Sequence, residues 1–272
     1  SLPGFRVTAN LYVPTTGQGP YPAVLGTAGH SDNGKASDVY QAMWISLVRR
    51  GYVVLAYDPP GQGERLEYYD PELGRSRVGA GVREHNAAGL QALLTGAPIA
   101  RYFIWDGIRA FDYLLTRREV DAAKIAVAGN SGGGTQAAYL AVFEPRLAAV
   151  VSSCYMTTWK ELMAGPGPQD SEHIIPGFLS AGFDFADFVR AFAPKPFLIT
   201  SATRDFFPIA GARETAATAG PNASFFEFDD THGWSQPRRE AAQAFLDRHL
   251  KGVNGDVKEE PVDTEPDSAL WV

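Results

Sequence analysis

Lys124-Ile125-Ala126-Val127-Ala128-Gly129-Asn130-Ser131-Gly132-Gly133-Gly134-Thr135-Gln136-Ala137-Ala138-Tyr139-Leu140-Ala141-Val142-Phe143 joins a short apolar run, a serine set among glycines, and a second stretch of small and apolar residues. This order predicts a strand, a reversal within about one residue, and a helix, with Ser131 at the turn in strained backbone geometry. Such a turn leaves no room for side chains two positions to either side, and Gly129 and Gly133 stand there. It lifts the serine hydroxyl above a sheet and turns the amide of Gly132, at the helix N-terminus, toward an atom that acquires negative charge. The bare Gly-x-Ser-x-Gly pattern is a weak signal in a chain with 28 glycines. Its setting between an apolar strand and a helix-forming stretch supplies the specificity.

Working outward, Arg6 to Val13 and Tyr21 to Thr27 read as strands around a Thr/Gly/Pro turn, which predicts a hairpin at a sheet edge. Ser37 to Arg50 has apolar residues at mostly helical spacing and stops at Gly51. Tyr52 to Tyr57 is apolar without alternation, as in a parallel strand covered on both faces. After a polar loop from Asp58 to about Arg77, helices are expected over Val82 to Leu94 and Arg101 to Leu115, and the strand over Lys124 to Ala128. Further strands read at Leu147 to Ser153, Pro196 to Ser201 and Ser224 to Asp229, with a last helix at Pro237 to Leu250. Strand and helix alternate, so the fold class is α/β, a mostly parallel sheet with helices on both faces and its site beyond the carboxyl ends of the strands. The domain spans 1–252. Within it, 155–192 is rich in Gly, Pro and aromatics and reads as either a lid or an ordinary connection packed on the core, and 253–272 reads as an acidic tail or linker.

A serine hydroxyl needs a base in hydrogen-bond reach and a carboxylate to orient it. Among five histidines, His232 is the candidate base: it follows the strand ending at Asp229 and precedes the last helix. His85 and His173 sit in polar stretches, and His249 lies within that helix. Asp205 follows the strand Pro196 to Ser201 and is the candidate acid, with Asp229 and Asp230 as alternatives. Chain order is then Ser131, Asp205, His232, the order of the α/β-hydrolase arrangement. A second oxyanion donor is expected from the loop Ala28 to Lys35, through the backbone N–H of His30 or Ser31, His30 being favoured.

Net charge is −7 with a pI near 5.3, and basic residues form no long runs, so neither a nucleic-acid stripe nor a polybasic membrane patch is expected. The single cysteine, Cys154, excludes an intrachain disulfide, and no Cys/His spacing suggests a metal. Neither a metal nor an organic cofactor is expected. No run of about 18 apolar residues or basic-then-apolar leader is seen, and the abrupt start at Ser1-Leu2-Pro3-Gly4 suggests a processed or trimmed beginning.

With these residues in place the chain resembles an α/β-hydrolase, more narrowly the bacterial acetyl xylan esterase-like branch. The likeness runs over most of residues 2–250. It is carried by Thr8-Ala9-Asn10-Leu11-Tyr12, Gly29-His30-Ser31-Asp32-Asn33-Gly34-Lys35, Tyr57-Asp58-Pro59-Pro60-Gly61-Gln62-Gly63-Glu64-Arg65, Trp105-Asp106-Gly107-Ile108-Arg109-Ala110, Gly165-Pro166-Gly167-Pro168-Gln169-Asp170 and the glycine-serine segment. Gly61-Gln62-Gly63 is similar to the Arg-Gly-Gln motif of acetyl xylan esterases and cephalosporin-C deacetylases, but Pro60 stands in place of the arginine. Gly233 follows His232 where that deacetylase family has glutamate. The resemblance implies a serine esterase acting on acetyl or other short acyl esters of a small molecule or plant polysaccharide. It also implies an extracytoplasmic setting and a longer parent protein or an additional polypeptide. Candidate substrate residues are Gln62 and the aromatics Trp159 and Trp234, the aromatics being equally readable as core. A prolyl-oligopeptidase-like peptidase with the same triad, and a silent hydrolase-fold binding module, remain the alternatives.

Overall fold

The apolar run before Ser131 becomes the central strand of the sheet. The computed structural model describes residues 4–272; Ser1 to Pro3, where the trimmed start was read, lie outside the described residues. The elements in chain order are β1 (Ala9–Tyr12), β2 (Tyr21–Thr27), α1 (Asp38–Arg49), β3 (Val53–Tyr57), β4 (Tyr69–Asp70), β5 (Arg75–Ser76), α2 (Val82–Leu94) and α3 (Ala100–Leu115). They continue with β6 (Val120–Asn130), α4 (Gly132–Phe143), β7 (Ala149–Ser153), α5 (Trp159–Ala164), α6 (Phe185–Phe192), β8 (Phe197–Arg204), α7 (Ile209–Thr218), β9 (Ala223–Thr231), α8 (Gln236–Leu246) and α9 (Asp267–Leu270). A turn of π-helix, Asp247–Lys251, follows α8 directly.

Seven strands form one sheet in the order β1-β3-β2-β6-β7-β8-β9, all parallel except β1. Successive side chains of a strand face opposite sides, and the apolar strands use both. Leu25, Leu55 and Val127 point into one core with Phe111 and Leu114 of α3, Leu140 of α4 and Phe188 of α6. Val24, Val54 and Ala126 point into the other, with Met43 and Trp44 of α1 and Phe245 and Leu246 of α8. Each fully buried Val or Leu in these layers contributes about 1.5–3 kcal/mol. The chain is therefore an α/β-hydrolase fold, as its residues predict.

The edge hairpin is not formed. β1 pairs antiparallel with β3, Leu11 opposite Leu55, while β2 lies between β3 and β6. The reason is burial: β2 is solvent-free over Ala23–Thr27 and needs a strand on each side, whereas β1 is only half-buried and suits an edge. The helix α7 and the small hairpin of β4 and β5 carry no clear local signal in the sequence. Residues 253–272 lie against the body. Arg239 forms an ion pair with Glu259, Gln243 donates to Glu259 at 2.9 Å, the Glu265 amide donates to Gln41 at 2.8 Å, and Asn33 donates to Asp267 at 3.0 Å. Residues 155–192 likewise pack: Phe185, Phe188, Val189 and Phe192 of α6 join the core beside α4.

Candidate active site

The turn after β6 has the geometry its glycines imply. Ser131 sits at φ 59°, ψ −126°, one of two non-glycine residues with positive φ among the described residues. A Cβ on Gly129 would stand 2.1 Å from Thr27 Oγ1, and one on Gly133 2.0 Å from the Thr27 carbonyl, so the strand-to-helix reversal requires both glycines. The Ser131 amide donates to the Ser153 carbonyl at 2.8 Å, which ties the turn to β7.

His232 and Asp205 arrive from the ends of neighbouring strands. Ser131 Oγ and His232 Nε2 are 2.8 Å apart, and His232 Nδ1 and Asp205 Oδ1 are 2.8 Å apart. With the proton on Nδ1, that nitrogen donates to the carboxylate and Nε2 accepts from the serine hydroxyl. Asp205 Oδ1 also accepts from the Phe207 amide at 3.0 Å, so the turn after β8 fixes the carboxylate. Arg238, fully buried at the start of α8, donates to Asp230 Oδ2 at 3.2 Å and to the Thr231 carbonyl at 3.3 Å, anchoring the loop that carries His232. The alternative acids are engaged elsewhere, Asp230 by Arg238 and Asp229 by Thr203 at 2.7 Å and Arg204 at 3.0 Å. His249 packs on Phe245 outside this group. Cys154 is buried beside it; burial and the nearby Asp205 charge push its thiol up to about 12, so it carries no thiolate at neutral pH.

The loop after β2 lies on the turn. A Cβ on Gly29 would come within 2.4 Å of the Asn130 carbonyl and 2.9 Å of Ser131 Cβ, which places the next residue, His30, beside the serine. The amide of Gly132, first residue of α4, has no partner inside its helix. Gln62 is buried and donates to the Gly29 carbonyl at 2.8 Å, so it braces this loop and does not reach a substrate. Trp234 is buried edge-on against Trp44 in the core between α1 and α8. Both leave the set of substrate residues, since burial withholds their surfaces. Trp159 is half-buried among Phe178 and Phe185. Phe206, which sequence reasoning missed, is exposed with its ring 4.2 Å from that of His232, at the mouth of the site. Its signal was simple proximity to Asp205.

A second group lies behind Gly132. His30 Nε2 and His85 Nδ1 stand 2.6 and 2.7 Å from the same oxygen of Asp170, and Glu172 is 3.6 Å from His30. Burial opposes ionisation of Asp170, but the hydrogen bonds from His30 and His85 outweigh it and hold its carboxyl well below the usual range. Sequence reading sets His85 and His173 aside because no strand end precedes them.

The described residues include no helix long and apolar enough to cross a membrane. An apolar groove of about 560 Å³, lined in part by Tyr102, Trp105, Ile108, Phe143 and Ile175, contains no member of the Ser131 group.

Known proteins bear on this geometry. YtaP of Bacillus subtilis (strain 168), described as a hydrolase, is 28% identical over 159 residues, which are 55% of this chain and 48% of YtaP, so the chain spans about half the length of that relative. Among solved structures, methylesterase BT1017 superposes with a TM-score of 0.69 at 23% identity, covering 97% of this chain and 56% of that one. A glucuronoyl esterase of carbohydrate esterase family 15 from Caldicellulosiruptor kristjansonii gives 0.64 at 17% identity, covering 94% and 76%. At such identities these two show a shared fold. Residues 1–164, which include His30 and Ser131 and end before Asp205 and His232, match the acetyl xylan esterase family (AXE1). The chain belongs to the acetyl xylan esterase family.

Proposed function

We propose that the chain is a serine carboxylic-ester hydrolase that removes acetyl or other short acyl groups through an acyl-enzyme on Ser131, its substrate being a small or polysaccharide-linked ester. The observation that carries this reading is the pair of 2.8 Å contacts linking Ser131, His232 and Asp205 at a strained strand-to-helix turn. Membership of the acetyl xylan esterase family supports the ester and carbohydrate side of it.

In the first half-reaction Nε2 of His232 takes the hydroxyl proton as Ser131 Oγ bonds to the acyl carbon. The carbonyl π pair moves onto oxygen, which accepts hydrogen bonds from the amides of Gly132 and His30. Collapse breaks the ester C–O bond, and the alcohol leaves with the proton from His232. Water then gives its proton to His232 as it attacks the acyl carbon, and Ser131 recovers a proton as the acid departs. Asp205 holds the Nδ1–H tautomer and stabilises the imidazolium that forms twice per turnover. Replacing Ser131 by Ala should lower kcat on p-nitrophenyl acetate by on the order of 10⁶ with the fold intact. Near-normal turnover by that variant would remove the serine from the mechanism. A parallel series of aminoacyl-proline anilides separates an esterase from a peptidase.

A further inference from the structure

His30, His85, Asp170 and Glu172 come from three separate parts of the chain: the loop after β2, helix α2, and the connection between α5 and α6. Their four ligand atoms lie within 4.8 Å of one another. His30 Nε2 and His85 Nδ1 are 3.3 Å apart, about the edge of a tetrahedron whose centre is ~2.0 Å from each nitrogen.

The surrounding contacts leave these atoms pointing inward. His85 Nε2 faces the Pro60 carbonyl at 2.7 Å, so that nitrogen donates, and a metal would take the place of the proton that Nδ1 shares with Asp170 Oδ2 at 2.7 Å. The other oxygen of Asp170, Oδ1, accepts from the Glu172 amide at 2.8 Å, which orients the carboxylate and leaves Oδ2 toward both imidazoles. Glu172 adds an independent sign. Its side chain is 2% exposed, and its Oε1 has no hydrogen-bond partner although it is buried. That oxygen lies 3.6 Å from His30 Nε2 and 3.4 Å from His173 Nε2, and both nitrogens of buried His173 also lack partners. Two carboxylates packed together out of water call for a positive charge, and two imidazole nitrogens beside them are donors that suit zinc.

We propose that His30, Asp170, Glu172 and His85 form a binding site for one divalent transition-metal ion, zinc by the two-nitrogen, two-oxygen set, behind the oxyanion turn. A ligand set made wholly of protein atoms is that of a structural site. The site also abuts the turn itself, since a Cβ on Gly132 would stand 2.7 Å from Glu172 Oε1 and 3.0 Å from His30 Cε1. An ion there pins the His30 side chain and with it the loop that carries the oxyanion amide proposed above. The rival occupant of the centre is a proton, carried by an imidazolium of His85 between Asp170 and Pro60.

The test uses the whole chain and reads metal directly, independent of turnover, so it stands or falls apart from the ester-hydrolase reading. Zinc is measured by plasma mass spectrometry in protein purified without chelator, and Zn²⁺ and Co²⁺ are titrated calorimetrically into chelator-stripped protein. The expected result is saturable binding of one ion per chain, with the visible spectrum of four-coordinate cobalt. Asp170→Asn and Glu172→Gln should each weaken binding about tenfold or more, and Asp229→Asn, on the exposed rim, should not. If either carboxylate variant fails to fold by circular dichroism, the wild-type titration decides. No saturable binding by stripped wild-type protein, or equal affinity in both folded carboxylate variants, overturns the site in favour of the protonated cluster.

Discussion

Three side chains set the chemistry proposed at Ser131, and their supports differ. Ser131 is held by backbone strain and by the close approach of Thr27 to Gly129 and Gly133. Asp205 is held by the Phe207 amide, and the role proposed for it is to fix a tautomer. Asp205→Asn should therefore keep the fold and substrate affinity yet cost about 10⁴ in kcat, because an amide there favours the wrong imidazole tautomer. Steady-state kinetics on p-nitrophenyl acetate, with circular dichroism as a fold check, measures this. An unchanged kcat would pass the role to another carboxylate. Asp229 and Asp230 are poorly placed to take it, since Arg204 and Arg238 already engage them.

At the scale of elements, the site is built where loops from β2 and β3 lock together. Lys35, buried after β2, donates through Nζ to Asp58 Oδ2 at 3.0 Å and also pairs with Glu64. Asp58 is buried after β3, accepts from the Lys35 amide at 2.7 Å and from Thr8 at 2.6 Å, and fills space left by Gly34 and Gly63. Arg65 donates to the Asp58 carbonyl at 2.8 Å and pairs with Asp106 at 2.8 Å. Lys35→Met strands a buried carboxylate and should cost about 3–5 kcal/mol, read as a lower midpoint in urea at unchanged slope. A midpoint equal to wild type would show that the pair adds nothing. The stretch Tyr57 to Arg65 that carries much of the family likeness is thus a brace, Gln62 included, and its motif reads as substrate-binding only while the fold is unseen. Local signals were legible: apolar strands without alternation, glycines around Ser131, and histidine and aspartate after strand ends. The hairpin misreading and the unseen His30–Asp170 cluster share a cause. Strand order and contacts between residues 140 positions apart are set by which faces must be buried together, and no local spacing records that.

For the whole molecule, the sheet sets strand ends of β6, β8 and β9 along one rim, and residues 253–272 cross α1 and α8 on one face. That segment is held chiefly by ion pairs and hydrogen bonds, with Val257 its buried apolar anchor. Deleting 253–272 should leave the triad standing but lower the melting temperature, by roughly 2–4 °C for each kcal/mol lost. Differential scanning calorimetry at low and high salt checks it, the gap narrowing as salt screens the Arg239–Glu259 pair. An identical melting temperature would make the segment a passenger. Acyl transfer through Ser131 is read out by the pre-steady-state burst with p-nitrophenyl acetate. An acyl-enzyme on Ser131 should release about one p-nitrophenolate per chain before the slower steady state, and Ser131→Ala should release none. An equal burst from that variant, or hydrolysis by it at the wild-type rate, would rule out Ser131 as the nucleophile.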